Sequence, residues 1–162
     1  MKKIAGGALL VLLIVIMFQM NRSPDLSSPS ASLQTARDHL ASENWDVLYD
    51  LTTDELADEI DEKIMLLLQV SAHFLPPEIR DDLDLLTQIS AQKRFAAFMD
   101  GFSKRPETRR LMTAYEEAKY EVTQTSEEQA KISFEADISL PFDTVKLEKH
   151  EDNWYFTSIP EL

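Results

Sequence analysis

The amino-acid sequence predicts an α+β domain that follows an N-terminal transmembrane helix. Three observations lead to this prediction: an unbroken apolar run at the N-terminus, helical spacing of apolar residues after it, and strict apolar–polar alternation towards the C-terminus. Residues 1–22 should be a membrane anchor or signal segment, residues 23–32 a linker, and residues 33–162 one domain. In that domain a helix-rich half should pack on an antiparallel meander of about four strands.

The N-terminal segment starts with Lys2 and Lys3 and continues as an apolar run over residues 4–18. A secretory signal needs a small-x-small cleavage site soon after its apolar stretch. Residues 19–22 offer no small side chain, and residues 4–20 reach the lower limit of about 17 residues for a membrane helix. An uncleaved anchor is therefore favoured over a cleaved signal.

The basic start of the chain predicts its orientation. Lys2 and Lys3 should stay in the cytoplasm, so the chain should cross the inner (cytoplasmic) membrane once, with its C-terminal domain periplasmic or extracellular. The absence of Cys is compatible with an oxidising compartment. Residues 23–32 are rich in Ser and Pro, which predicts a partly extended tether without its own fold.

The first part of the domain shows helical spacing of its apolar residues. A helix should begin at Leu33 with Ser32 as its N-cap, and a short second helix should begin around Trp45. Thr52 and Glu55 have the spacing of a capping box, which predicts the start of a third helix with Thr52 as its cap.

Proline and glycine bound the helices that follow. The third helix should run to about Phe74, where Pro76-Pro77 ends it. A further helical stretch, with a break near Ser90, should end at Gly101 as a C-terminal cap. The basic residues on either side of Pro106 are assigned to a helix end and a loop.

The second part of the domain changes to a period of two, which predicts strands with one polar face. Apolar and polar residues alternate over residues 119–123, 131–140, 145–148 and 154–156. Because the separators between these runs are short, the strands should pair as antiparallel hairpins.

The two ends of the domain resemble a known superfamily. The opening LQTARDHLASENWDVLYDLTTDEL reads as a helix, a short turn with an aromatic residue and a second helix, and the ending VKLEKHEDNWYFTSI has an acidic turn followed by Trp and an alternating strand. Both are similar to the ends of the nuclear transport factor 2-like (cystatin-like cone) superfamily in its exported or membrane-anchored bacterial form. The resemblance implies that a curved antiparallel sheet follows the first helices.

The resemblance does not cover the middle of the domain. The superfamily usually has strand pairing between positions equivalent to Asp54 and Lys104, where this sequence predicts helices. Dehydratases, isomerases, ligand binders and assembly domains share the fold, so membership would not decide the function.

Charge and composition exclude several classes of function. The chain has a net charge of −13, and a surface this acidic repels nucleic-acid phosphates and anionic lipid headgroups. With no Cys there is no thiol nucleophile, and with three Gly, two of them Gly6 and Gly7, there is no glycine-rich phosphate loop. No nucleic-acid partner and no cofactor are predicted.

Residues able to support catalysis or bind a metal are few and isolated. His39, His73 and His150 lack the spacing of metal ligands, and they are assigned to solvent, to a helix end and to a hairpin rim, respectively. Enzymes of the resembled superfamily use an Asp or His buried in the cone, and the resemblance makes Asp100 or Asp137 the candidate base. Asp137 would qualify only if its strand were reversed. Since no partnered base or oxyanion donor is evident, a surface position before Gly101 is favoured for Asp100, and no catalytic residue or metal ligand is predicted.

Basic residues concentrate in one segment of the domain. Six of the sixteen Lys and Arg residues lie within eighteen positions, while acids concentrate over residues 50–62 and 81–84. Either neighbouring helices pair these charges internally, which is the simpler interpretation, or a basic patch docks an acidic partner. The candidate partner-binding residues are Lys93, Arg94, Lys104, Arg105, Arg109 and Arg110.

These observations favour a non-catalytic interaction or accessory domain. It would be tethered to the membrane through residues 4–20 and would serve an envelope complex or a transport process through a protein partner. The alternative is a small-molecule-binding, hydrolase-type or isomerase-type cone domain that uses a buried Asp or His. The identity of the partner and the oligomeric state, homo-oligomers included, stay open at this stage.

Overall fold

The computed structural model describes residues 24–72 and 85–158, in which helices precede a four-stranded sheet. This arrangement confirms the predicted α+β class and the order of its two halves. Residues 85–88, where the second described range begins, are also helical. The named elements are α1 (Pro29–Ala41), α2 (Trp45–Asp50), α3 (Asp54–Ala72), α4 (Ala91–Ser103), α5 (Pro106–Glu117), β1 (Lys119–Gln124), β2 (Gln129–Glu135), β3 (Thr144–His150) and β4 (Asn153–Ser158).

The strands form a meander in sequential order, and every neighbouring pair is antiparallel, as predicted. The second strand is shorter than predicted, because β2 ends at Glu135 and not near Leu140. The Phe134 N–H bonds to the Asp143 carbonyl at 2.7 Å, just before the chain leaves the ladder. The alternating residues that follow belong to the β2–β3 connection.

One face of the sheet forms the core together with α1. Ile132 of β2 and Leu147 of β3 are almost wholly buried, and Trp154 of β4 lies beside them. Successive residues of a strand point to opposite faces, so this apolar set occupies a single side and the polar set faces solvent. The buried members of the cluster are Leu33, Ala130, Ile132, Val145, Leu147 and Trp154.

The first helix begins before the predicted position. Pro29 occupies its first turn, and the Ser28 hydroxyl accepts a hydrogen bond from the Ala31 N–H at 3.1 Å, so Ser28 and not Ser32 is the N-cap. Ser and Pro are favoured in flexible linkers and also at helix N-termini, so composition alone pointed to the wrong structure here.

Part of the predicted linker belongs to the packed domain. Ser32 is fully buried inside α1, and its hydroxyl donates to the Trp154 carbonyl at 2.8 Å. Leu26 is also buried, and its carbonyl accepts from the Trp154 N–H at 2.9 Å. The prediction of a tether without its own fold is therefore wrong from Leu26 onward.

Two further helix boundaries differ from prediction. The Thr53 hydroxyl accepts from the Leu56 N–H at the start of α3, whereas the Thr52 hydroxyl donates to the Tyr49 carbonyl. Gly101 lies inside α4 and does not end it. The predicted end of the third helix near Phe74 lies outside the described residues.

The start of α4 agrees with prediction, whereas α5 is an additional helix. Ser90 caps α4, in agreement with the predicted break. Pro106 begins α5, a helix that was not predicted. Pro is well suited to this position, because the first helical turn does not need its missing N–H.

The predicted membrane segment, residues 1–22, lies outside the described residues. Over residues 24–72 and 85–158, no helix combines the length and the apolar character that a membrane crossing requires.

Candidate functional site

The structure separates the six basic candidates into one inward-facing and five exposed residues. Lys93 lies in the first turn of α4 and is exposed. Lys104 and Arg105 lie at the junction of α4 and α5, and Arg109 and Arg110 lie on α5 itself. These α5 residues are therefore on a regular helix and not on the predicted loop. The sixth residue, Arg94 on α4, is buried.

Arg94 is an internal structural residue. Its Nε and Nη2 atoms donate to the two carboxylate oxygens of Asp61 at 2.7 and 3.2 Å, and its Nη1 donates to the carbonyls of Leu86 and Ile89 at 2.7 and 3.1 Å. The residue is only 7% exposed, and its hydrogen bonding to Asp61 raises the pKa of the guanidinium further above its ordinary value. The prediction that Arg94 binds a partner is wrong, because its donors are engaged inside the domain.

Three of the five exposed bases lie along one groove. This groove, with a volume of about 680 Å³, lies between α5 and the end of the sheet where β1 begins and β2 ends. Small and apolar residues such as Ala114 and Ile138 contribute to its lining. The charged lining residues are Lys104, Arg109, Arg110, Glu117, Lys119, Glu135 and Asp137.

The basic residues of the groove differ in whether they form an ion pair within the domain. Lys104 Nζ bonds to the Asp100 carboxylate at 2.6 Å, one turn earlier on α4. Arg109, Arg110 and Lys119 form no ion pair with another residue of the described ranges 24–72 and 85–158. The groove therefore presents guanidinium groups that are available to an incoming acid.

The helical wall of the groove is fixed to the sheet by Tyr115. Its hydroxyl donates to the Phe142 carbonyl at 2.8 Å and accepts from the Phe142 N–H at 3.2 Å. The Tyr115 ring also stacks on Phe142 and meets Phe134 edge-on. Burial raises the pKa of the Tyr115 hydroxyl above its ordinary value.

The two carboxyl groups considered as catalytic bases are at the surface. Asp100 is exposed and paired with Lys104, and Asp137 is exposed at the groove. Neither carboxyl is enclosed by apolar side chains. The favoured surface position of Asp100 is confirmed, and Asp137 lies at the surface as well.

The histidines have separate surroundings. His150 is exposed at the end of β3, as predicted, with Nε2 at 3.8 Å from the Glu148 carboxylate. His39 is half-buried and its Nδ1 atom is buried without a hydrogen-bond partner in residues 24–72 and 85–158, so the prediction of a solvated side chain is wrong. His73 lies outside the described residues. Among the described residues, no group of three or more His, Asp or Glu side chains is arranged to hold a metal ion.

The fold and groove define an α+β domain with an open, charged cleft at one end of its sheet. No protein-family model, no curated protein and no solved structure matches the chain. The resemblance of its two ends to the nuclear transport factor 2-like superfamily stays a prediction.

Sequence reasoning located the basic segment but missed the groove that three of its residues line. The apolar and small residues of α5 follow helical spacing: Thr108 is buried, and Leu111, Met112 and Tyr115 are half-buried on the same side. This spacing is a signal from which α5 was predictable. Lys119 follows α5 after one residue, whereas Glu135 and Asp137 reach the groove only through the pairing of β2 with β1, which no local pattern encodes.

Proposed function

We propose that this protein is a membrane-tethered, extracytoplasmic interaction domain that binds an acidic segment of a protein partner in the groove beside α5. One observation supports this proposal above the others. Arg109 and Arg110 project from one helix at an open groove, without ion-pair partners among the described residues, in a chain of net charge −13. An exposed basic feature on so acidic a chain favours an acidic partner.

The mixed charge of the groove suits selective recognition. Glu117, Glu135 and Asp137 line it together with the bases, so a uniformly acidic chain would meet repulsion from part of the lining. A partner that places its acids opposite Arg109 and Arg110 would avoid that repulsion. Such complementarity affects selectivity and association rate more than it affects affinity.

The tether and the cone-like fold are part of the proposal and are supported by the sequence. The apolar run over residues 4–20 and the lysines before it favour an N-in anchor, and the chain ends resemble the nuclear transport factor 2-like superfamily. A non-catalytic role agrees with the exposed positions of Asp100 and Asp137. These features fit an accessory subunit of an envelope complex or a transport process.

Reversing the charge of the groove should abolish partner binding. In an epitope-tagged full chain, Arg110→Glu should reduce the amount of partner recovered from detergent-solubilised membranes, and Arg109→Glu/Arg110→Glu should remove it. Lys93→Glu is the matched control for the single variant, because it makes the same change of charge on an exposed helix residue away from the groove. Since surface substitutions rarely change stability by more than about 0.5 kcal/mol, all variants should melt with the parent.

The salt dependence of partner recovery and the melting temperatures of the variants distinguish a binding role of the arginines from a structural role. Recovery of the partner should fall as salt rises, because exposed charges are screened beyond about 8 Å at physiological ionic strength. A double variant that melts well below the parent would show that the arginines stabilise the domain internally. Equal recovery with Arg110→Glu, Lys93→Glu and the parent would exclude the groove as the binding surface.

The tether is tested independently of the groove. Alkaline phosphatase fused after Leu162 should be active in bacterial cells, because an N-in anchor would place the C-terminus outside the cytoplasm. The same fusion on a chain lacking residues 1–22 should be inactive. An active phosphatase on the shortened chain would contradict the assignment of the export signal to this segment.

A further inference from the structure

The two edge strands of the sheet, β4 and β1, differ in whether other segments of the domain form hydrogen bonds to them. Along β4, the Trp154 N–H bonds to the Leu26 carbonyl, the Phe156 N–H bonds to the Leu51 carbonyl, and the Phe156 carbonyl accepts from the Thr53 N–H. These bonds, of 2.8 to 2.9 Å, together with the Ser32 hydroxyl that donates to the Trp154 carbonyl, satisfy the outward backbone groups of Trp154 and Phe156 from within the chain. That edge is therefore closed to a further strand.

Within the part of the chain that the structure describes, the opposite edge, along β1, is open. Antiparallel neighbours alternate between hydrogen-bonded and non-hydrogen-bonded pairs. The Thr125 N–H bonds to the Gln129 carbonyl, so the odd-numbered positions of β1 bond to β2 and the even-numbered positions direct their backbone groups outward. Over residues 24–72 and 85–158, nothing bonds to the outward backbone groups of Tyr120, Val122 and Gln124.

The residue before β1 marks where the open edge begins. The Ala118 carbonyl accepts from Arg37 Nη2 at 2.5 Å, and the Ala118 N–H bonds to the Ala114 carbonyl. The Arg37 guanidinium also lies over the ring of Tyr120, at 4.9 Å from its centroid. The available edge is thus limited to β1 itself.

Unpaired edges invite strand addition, and natural sheets usually protect them. We propose that β1 pairs with β1 of a second copy of this chain, antiparallel about a two-fold axis at Val122, so that one sheet continues through both copies. A two-fold interface uses the same patch on both partners, so the edge must be complementary to itself.

Only one symmetric register uses all the free groups of β1. Centred on Val122, it places Tyr120 opposite Gln124 of the second copy, so that each of the three open residues is paired. On the polar face it places Glu121 opposite Thr123, so no like charges lie directly opposite each other.

The neighbouring registers are each disfavoured. A pairing centred on Tyr120 would need the backbone groups of Ala118, which are already bonded. A pairing centred on Glu121 would place two glutamates opposite each other, which destabilises a strand pair. A pairing centred on Thr123 would place Tyr120 opposite Ser126, whose N–H is bonded to the Gln129 carbonyl.

This pairing does not depend on the proposed groove. The groove lies at the end of the sheet, and among the residues of β1 only Lys119 contributes to it. The net charge of −13 on each copy opposes association at long range, so raising salt should tighten the pairing while it weakens binding of an acidic partner. The two proposals can therefore fail separately.

Charge changes at Thr123 test the register. In sedimentation equilibrium of the full chain in nonionic detergent, the parent should form a reversible dimer. Thr123→Glu places like charges opposite Glu121 twice per dimer and should weaken it by up to about tenfold, whereas Thr123→Lys should strengthen it. Within one copy Thr123 faces Lys131, so the effects on melting of the monomer should have the opposite signs.

A backbone variant and a disulfide test add independent readouts. Gln124→Pro removes an outward N–H without removing a bond to β2 and should abolish the dimer, whereas Gln124→Ala should preserve it. The chain has no Cys, so Glu121→Cys and Thr123→Cys chains can be co-expressed in membranes and oxidised. Opposite non-hydrogen-bonded residues lie about 4.5 Å apart at Cα, which permits a disulfide between the two variant chains.

Each result of these experiments either supports or overturns the proposed pairing of β1 with β1. Disulfide formation in the mixture, but not with either cysteine variant alone, supports the register centred on Val122. A parent chain that stays monomeric at about 100 µM would overturn the proposal. A dimer that is insensitive to the charge at residue 123 and to Gln124→Pro would overturn it as well, because the contact would then lie on another surface.

Discussion

Replacing Arg94 with Ala should lower the free energy of unfolding by about 3 kcal/mol, a value typical of breaking one side of a buried ion pair. The substitution removes both bonds to Asp61 and leaves the carbonyls of Leu86 and Ile89 without their donor. Asp61 keeps partial access to water, which places the expected cost at the lower end of the range for such pairs. Urea unfolding followed by circular dichroism measures the change.

Three control variants identify the origin of the effect. Lys93→Ala removes an exposed base from the adjacent position and should leave stability unchanged. Arg94→Lys keeps the charge but not the planar fork, so it should recover only part of the loss. In a double-mutant cycle with Asp61→Ala, a coupling energy near zero would contradict the ion pair as the source of the effect.

Arg94 also shows what the sequence could and could not decide about the site. Clustering of bases along the chain correctly located an unusual segment, but clustering does not reveal which way a side chain points. Lys93 and Arg94 are neighbours on a helix, and a rotation of about 100° per residue turns one to solvent and the other towards α3. Their different roles follow from packing against α3, which is a tertiary property.

The strands were the most predictable part of the fold. Alternation and short separators gave the meander, because one buried face imposes a period of two on every strand. Residues 136–140 also alternate, yet they leave the sheet because β3 begins pairing at Thr144. Pairing partners limit a strand as much as its own pattern does.

The early start of the packed domain affects the proposed tether. If the anchor ends at residue 22, only residues 23–25 separate it from the buried Leu26. Three residues span at most about 11 Å, so the domain would be held close to the membrane surface.

Removing the predicted linker should destabilise the domain strongly. A fragment of residues 33–162 should lose about 5 kcal/mol of unfolding free energy relative to residues 24–162. The shorter fragment lacks the buried Leu26 and the Ser28 cap of α1, and it leaves both backbone groups of Trp154 without partners. Since small domains are stable by only about 5–15 kcal/mol, the shorter fragment should be largely unfolded or aggregated.

Point substitutions in the longer fragment locate the origin of that loss. Ser32→Ala should cost about 1–2 kcal/mol, because it leaves the buried Trp154 carbonyl unpaired. Ser30→Ala, at an exposed position of the same helical turn, should have no effect. Equal denaturation midpoints for the two fragments would mean that residues 24–32 do not stabilise the domain. The closed edge of β4 would then not depend on Leu26 and Ser32, and a flexible tether up to Leu33 would be the correct description.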